Sequence, residues 1–167
     1  MKKLTWNKDH YLCDGKPAYL ISGELHYFRT PCDDWERRLT LFKEAGGNCI
    51  ATYIPWILHE PTEGDIRFSD VSYRDLEGFF NLCKKLDIYV IARPGPYQYS
   101  ELKYNGLPGW LCENYPEIRA KDIYNREFMK SSVSYMHPVF LQKTHLPIYL
   151  ETITAYFNNE SSTSLIS

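Results

Sequence analysis

No basic block or stripe runs through these 167 residues, whose formal net charge is −2. Nucleic acid and anionic membrane surfaces are therefore not expected as main partners. No apolar run approaches the roughly 20 residues that cross a bilayer. The two lysines in MKKLTWNKDHYL are not followed by the apolar stretch of a secretory leader before Asn7, Lys8, Asp9 and His10 interrupt. Cysteines are few and scattered: Cys13, Cys32, Cys49, Cys83 and Cys112, odd in number and without a CxxC pairing. That spacing suggests neither a disulfide framework nor a zinc site, and points to free thiols in a reducing compartment. No elbow motif surrounds Ser22 or Ser100. His59-Glu60 lacks the second histidine of a zinc helix and precedes a proline. No internal repeat is visible. These absences predict a cytoplasmic protein with no membrane anchor and no metal.

What is present is ordinary globular material, 44% hydrophobic and 24% charged, enough for one domain with a core. Aromatics reach 16%, and fourteen of them are Tyr. A phenol offers a flat apolar face and a hydroxyl, which suits sugars, nucleobases or peptides, and serves a Tyr-rich core as readily.

YLCDGKPAYLISGELHYF reads as two strands about an Asp14-Gly15 turn, the second running on through AYLISGELH to end near His26. CDDWERRLTLFKEAGG follows as a helix capped by Asp33 or Asp34, with Trp35, Leu39, Phe42 and Ala45 on one face and Gly46-Gly47 as its stop. NCIATYIPW is a buried strand, YRDLEGFFNLCKKL an amphipathic helix, and DIYVIARPG another buried strand. The order β-α-β-α-β predicts an α/β fold with right-handed crossovers and parallel strands. It looks like the opening of a (β/α)₈ barrel, preceded by a short hairpin. Beyond residue 120 the pattern weakens: NREFMKSSVSYMHPVFLQKT reads as a helix broken at Pro138, and the rest as one strand running out in Asn, Ser and Thr. A whole (β/α)₈ barrel takes about 200 residues or more, so this length predicts roughly its N-terminal half. A fragment, a truncated product and a chain that does not close as a barrel all fit that count.

In such a barrel the chemistry lies at the C-terminal ends of the strands. Here those ends carry Glu24 and His26, then Tyr53, Trp56, His59 and Glu60, then Arg93, Tyr97, Tyr99 and Glu101. Carboxylates beside aromatic platforms are what glycoside hydrolysis requires: one acid for the leaving oxygen, a second carboxylate to attack or activate water, and rings to stack on the sugar.

Three stretches together are more specific: GKPAYLISGELHYFR, WERRLTLFKEAGGNCIATYIPWILHEPTEGDIRFSD and IYVIARPGPYQYSELKYNGLPGWL. In order and spacing, over roughly residues 11 to 120, they resemble the N-terminal part of glycoside hydrolase family 35, the β-galactosidases. The resemblance implies a barrel and retaining hydrolysis of terminal β-linked galactose through a glycosyl-enzyme intermediate, without a cofactor. It implies that Glu101 is a substrate-binding carboxylate, not a member of the catalytic pair. Tyr53 matches a sugar-bonding Tyr. Gln98 and Ser100 match two further sugar contacts, made partly through backbone, where the family usually has a small apolar residue or Asn, and Ala. For Arg29, His59, Glu60, Arg93 and Tyr97 the expected role is to buttress loops.

The resemblance also shows what is missing. The family's acid/base lies in an Asn-Glu-Tyr-Gly motif on the fourth strand, and its nucleophile on the seventh. Asn159-Glu160 stands near the first position, which makes Glu160 the candidate acid/base, although no Tyr-Gly follows; no residue matches the nucleophile. The expectation is therefore a partial catalytic domain over residues 1–143 and a divergent tail over 144–167, shifted in frame or disordered, inactive alone. Its partners would be a β-galactoside and a complementing C-terminal fragment or a second copy. Two other readings stay open: a galactose-binding remnant or half of a split enzyme, and a related barrel glycosidase acting on another β-glycoside.

Overall fold

The computed structural model describes residues 4–98, 101–118 and 164–166. β1 (Leu4–Trp6), β2 (Tyr11–Cys13) and β3 (Lys16–Ala18) pair antiparallel in that order. Cys13 faces Lys16 across Asp14 and Gly15, whose φ angles of 50° and 77° are both left-handed, as a two-residue turn of this hand requires.

β4 (Ser22–Glu24) belongs to a different sheet. The expected continuous strand from Ala18 to His26 is thus two strands in two sheets, and Asn48 is the reason. Its side chain accepts from the Ile21 N–H at 2.8 Å and donates to the Tyr19 carbonyl at 2.8 Å. The Asn48 and Cys49 N–H groups both donate to the Ile21 carbonyl. Residues 19–21 thereby satisfy backbone groups outside either ladder.

α1 (Cys32–Glu44) starts after Pro31, and no side chain caps it. Asp33 and Asp34 were expected as caps; they sit instead inside the first turn, where negative charge still complements the helix dipole. Asp34 turns to Arg37 and Arg38, at 2.7 and 2.5 Å, and these bonds hold its carboxyl below the usual carboxylate value. Trp35 and Leu39 are buried, Phe42 is half-buried, and Ala45 is exposed. Gly46, at φ 94°, turns the chain out of the helix. The Phe42 ring lies where a Cβ on Gly23 or Gly47 would be, 2.7 and 2.1 Å away, so a side chain at either position would have to displace that ring.

β5 (Cys49–Ile54) pairs parallel with β4 in the register Ser22↔Cys49, Gly23↔Ile50 and Glu24↔Ala51. After the short helix α2 (Trp56–His59), α3 (Leu76–Lys85) is capped by Asp75, whose carboxylate accepts from the Gly78 N–H at 2.9 Å. It buries Leu76, Phe79, Phe80 and Cys83. Next come β6 (Tyr89–Pro94), α4 (Gly109–Asn114) and β7 (Ser164–Ile166). The second sheet has the order β4-β5-β6-β7, and β6 and β7 are parallel. The described elements therefore form a mixed α/β arrangement with a parallel sheet. The predicted helix and strand between residues 120 and 160 lie outside the described residues.

These residues fall into two compact units divided after Tyr53, Arg67 and Arg93. In the first, Phe79 packs against Tyr27 and edge-on against Trp35, with ring centroids 5.8 and 5.2 Å away. Burial pushes the Tyr27 phenol well above its ordinary pKa and the Cys83 thiol up to about 12, so neither titrates near neutrality.

Candidate functional site

In the first unit, the ends of three neighbouring strands bring side chains together. Glu24 closes β4, Tyr53 is next to last on β5, and Arg93 next to last on β6. The Arg93 guanidinium donates to Glu24 Oε1 and lies over the Tyr53 ring, 4.0 Å from its centre. His26, just past β4, stacks on Tyr53 at 5.1 Å and on Phe28 at 5.3 Å. Its Nδ1 faces the Tyr53 N–H at 3.4 Å, and its Nε2 faces Glu24 Oε1 at 3.4 Å. Accepting at Nδ1 puts the proton of a neutral imidazole on Nε2, toward the carboxylate. Partial burial lowers the pKa of Arg93 from its ordinary value. With Arg93 on it, Glu24 is a member of an ion pair. The Tyr53 ring is held between the Arg93 cation and the His26 imidazole.

In the second unit, Glu101 is exposed, with a left-handed φ of 51°. Tyr104, Asn105 and Gly106 repeat that conformation at 54°, 53° and 83°. Each non-glycine residue held there costs about 1 kcal/mol or more, Asn least. The loop keeps this shape because it is tied down. Gln98 is buried, its N–H donating to the Asn105 carbonyl at 2.9 Å and its side-chain amide to the Ile54 carbonyl at 3.2 Å. The Gly95 N–H donates to the same Ile54 oxygen. Ser100, Tyr99 and Glu160 lie outside the described residues.

Trp56, expected among the aromatic platforms, is wholly buried and cannot stack on a sugar. Its indole N–H points at its own helix's end, donating to Glu60 Oε2 at 2.5 Å. His59 and Glu60 are also fully buried, with His59 Nδ1 2.7 Å from the Arg67 carbonyl oxygen. Glu60 Oε1 accepts from the Gly64 N–H at 2.8 Å. Sequence reasoning passed over Trp110, whose indole N–H donates to the Glu60 carbonyl at 2.9 Å and whose ring meets Trp56 edge-on at 5.7 Å. The Trp56–Glu60 spacing of one helical turn was the signal available for this cluster. Among the described residues no group of three or more His, Cys, Asp or Glu could hold a metal ion, and no helix is long and apolar enough to cross a membrane.

The family model for glycosyl hydrolases family 35 matches residues 10–149. The chain belongs to glycosyl hydrolases family 35. The chain is 38% identical over 147 residues to the exo-beta-D-glucosaminidase of Thermococcus kodakarensis, covering 85% of this chain and 19% of that one. It is 48% identical over 111 residues to the beta-galactosidase of Mus musculus, covering 66% and 17%. A solved structure of beta-galactosidase from the psychrophilic Marinomonas ef1 superposes with a TM-score of 0.64 at 15% identity, over 87% of this chain and 20% of that one, a likeness of fold. The chain thus spans about a fifth of the length of the proteins it matches.

Proposed function

We propose that this chain supplies the N-terminal half of the (β/α)₈ catalytic barrel of a retaining β-galactosidase-type glycoside hydrolase, and within it the part that holds the sugar. The observation that carries this reading is membership of family 35 over residues 10–149. Tyr53 and Glu101, with Gln98 and Ser100, are the substrate-binding residues. A carboxylate hydrogen-bonded to sugar hydroxyls contributes about 1.5–3 kcal/mol, which suits Glu101 to binding. Retaining hydrolysis needs a second carboxylate as nucleophile; no residue here matches it, so a complementing segment, or another carboxylate on a second copy of the chain, supplies that group. Residues 1–143 form the catalytic portion and 144–167 a divergent tail, with Glu160 the acid/base candidate. The setting is cytoplasmic.

A second reading concerns the sugar. The relative from Thermococcus kodakarensis is named for glucosamine, not galactose, so a β-glucosaminide is the competing substrate. The test is hydrolysis of chromogenic β-galactosides and β-glucosaminides by the 167-residue chain, with binding of methyl β-galactoside measured beside it. The expected result is no turnover by the chain alone, and galactoside binding that Glu101→Ala abolishes. Binding of the glucosaminide alone would replace the first substrate by the second. Turnover that Glu160→Gln removes would place the acid in the tail and refute an inactive chain.

A further inference from the structure

We infer that Glu60 is the positioning residue of the loop that carries Glu101, acting through Trp110; the inference rests on the reading that Glu101 holds the sugar. Among the described residues of the loop from Gly95 to Pro108, three non-glycine residues lie in left-handed backbone: Glu101, Tyr104 and Asn105. Such residues persist only where surrounding structure over-determines them. At its entry the loop is fixed to Ile54, whose carbonyl accepts from the Gly95 N–H and the Gln98 amide. At its exit, Leu107 is buried and the next ordered anchor is Trp110, two residues beyond Pro108. Trp110 is held by its donation to the Glu60 carbonyl and by its edge contact with Trp56.

Both of those holds depend on the Glu60 carboxylate. It is fully buried, and its two oxygens accept from the Trp56 indole and the Gly64 N–H, which sets the Trp56 ring and closes the turn after α2. Two neutral donors pointing at two oxygens is an arrangement that a carboxylate satisfies and a carboxamide does not. In Glu60→Gln the NH₂ must face one of the two N–H groups, donor against donor. The side chain keeps its size while one anchor is lost.

The experiment is amide hydrogen exchange on the 167-residue chain and its Glu60→Gln variant, followed by titration of both with methyl β-galactoside. Exchange in residues 95–98 and 101–108 should speed by at least about tenfold in the variant, while the Tyr89 amide and α3 amides stay protected. Trp110→Phe, which deletes the indole donor to the Glu60 carbonyl, should reproduce that local pattern if Glu60→Gln folds poorly. Galactoside affinity should fall about tenfold in Glu60→Gln, and the double variant with Glu101→Gln should bind no more weakly than Glu101→Gln alone, because Glu60 acts through Glu101. Unchanged loop exchange, or equal acceleration throughout the chain, would overturn the inference, as would losses that multiply in the double variant. If the parent chain binds no galactoside, the sugar reading fails, while exchange still decides whether Glu60 anchors the loop.

Discussion

Two glutamates expected at strand ends have opposite surroundings. Glu24, in the first unit, has a half-exposed side chain and is paired with a full cation, Arg93. Glu60, in the second, is fully buried and faces two neutral N–H donors. This partly exposed pair is partly screened by water, and its Coulomb attraction is largely offset by the loss of side-chain freedom. The buried carboxylate has no water to fall back on, so each donor aimed at it depends on it. A salt bridge is the more conspicuous contact, yet the neutral cluster is expected to carry more of the local stability.

The largest expected effect tests that ordering. Glu60→Ala leaves the Trp56 indole and the Gly64 N–H without their acceptor and should cost about 2–4 kcal/mol, read by urea unfolding followed by tryptophan fluorescence. A loss no greater than that of Glu24→Ala would break the comparison. Next, Tyr104→Gly should stabilise the second unit by about 1 kcal/mol, since glycine adopts φ 54° without strain; a destabilised variant would mean the Tyr104 ring matters more than its backbone. Glu24→Ala should then cost less than about 1 kcal/mol in the same unfolding assay, with a further drop in that cost at high salt. The smallest effect belongs to Asp34, a partly exposed residue in the first turn of α1. Arg37 and Arg38 depress its folded pKa, so its contribution is present above the ordinary carboxylate value and lost as pH falls through the folded one. Asp34→Asn should remove a slight acid-side slope of stability and leave neutral pH almost unchanged.

Much of the first unit was legible from periodicity. The spacing of Leu76, Phe79, Phe80 and Cys83 marked the buried face of α3, and the apolar runs at Cys49 and Tyr89 marked β5 and β6. Tyr53 and Glu101 are proposed as sugar contacts from resemblance alone, because a single loop carboxylate is indistinguishable from a solvated one by composition. Trp56 was misread as a platform: an aromatic residue after a strand looks the same whether its ring turns toward solvent or toward Trp110. Asn48 gave no signal at all, since a side chain that hydrogen-bonds residues 27 and 29 positions earlier leaves no local pattern.

The amino-acid order by itself determined the alternation of strand and helix, the Asp14-Gly15 turn and the family, because these depend on local backbone preference, short-range periodicity and motif spacing. Tertiary structure alone decided which carboxylate is screened and which is buried, where one apparent strand becomes two, and which residues hold the Glu101 loop in a strained conformation. Those outcomes depend on groups distant in sequence meeting where water is excluded, and there burial and partner chemistry set the role of a side chain.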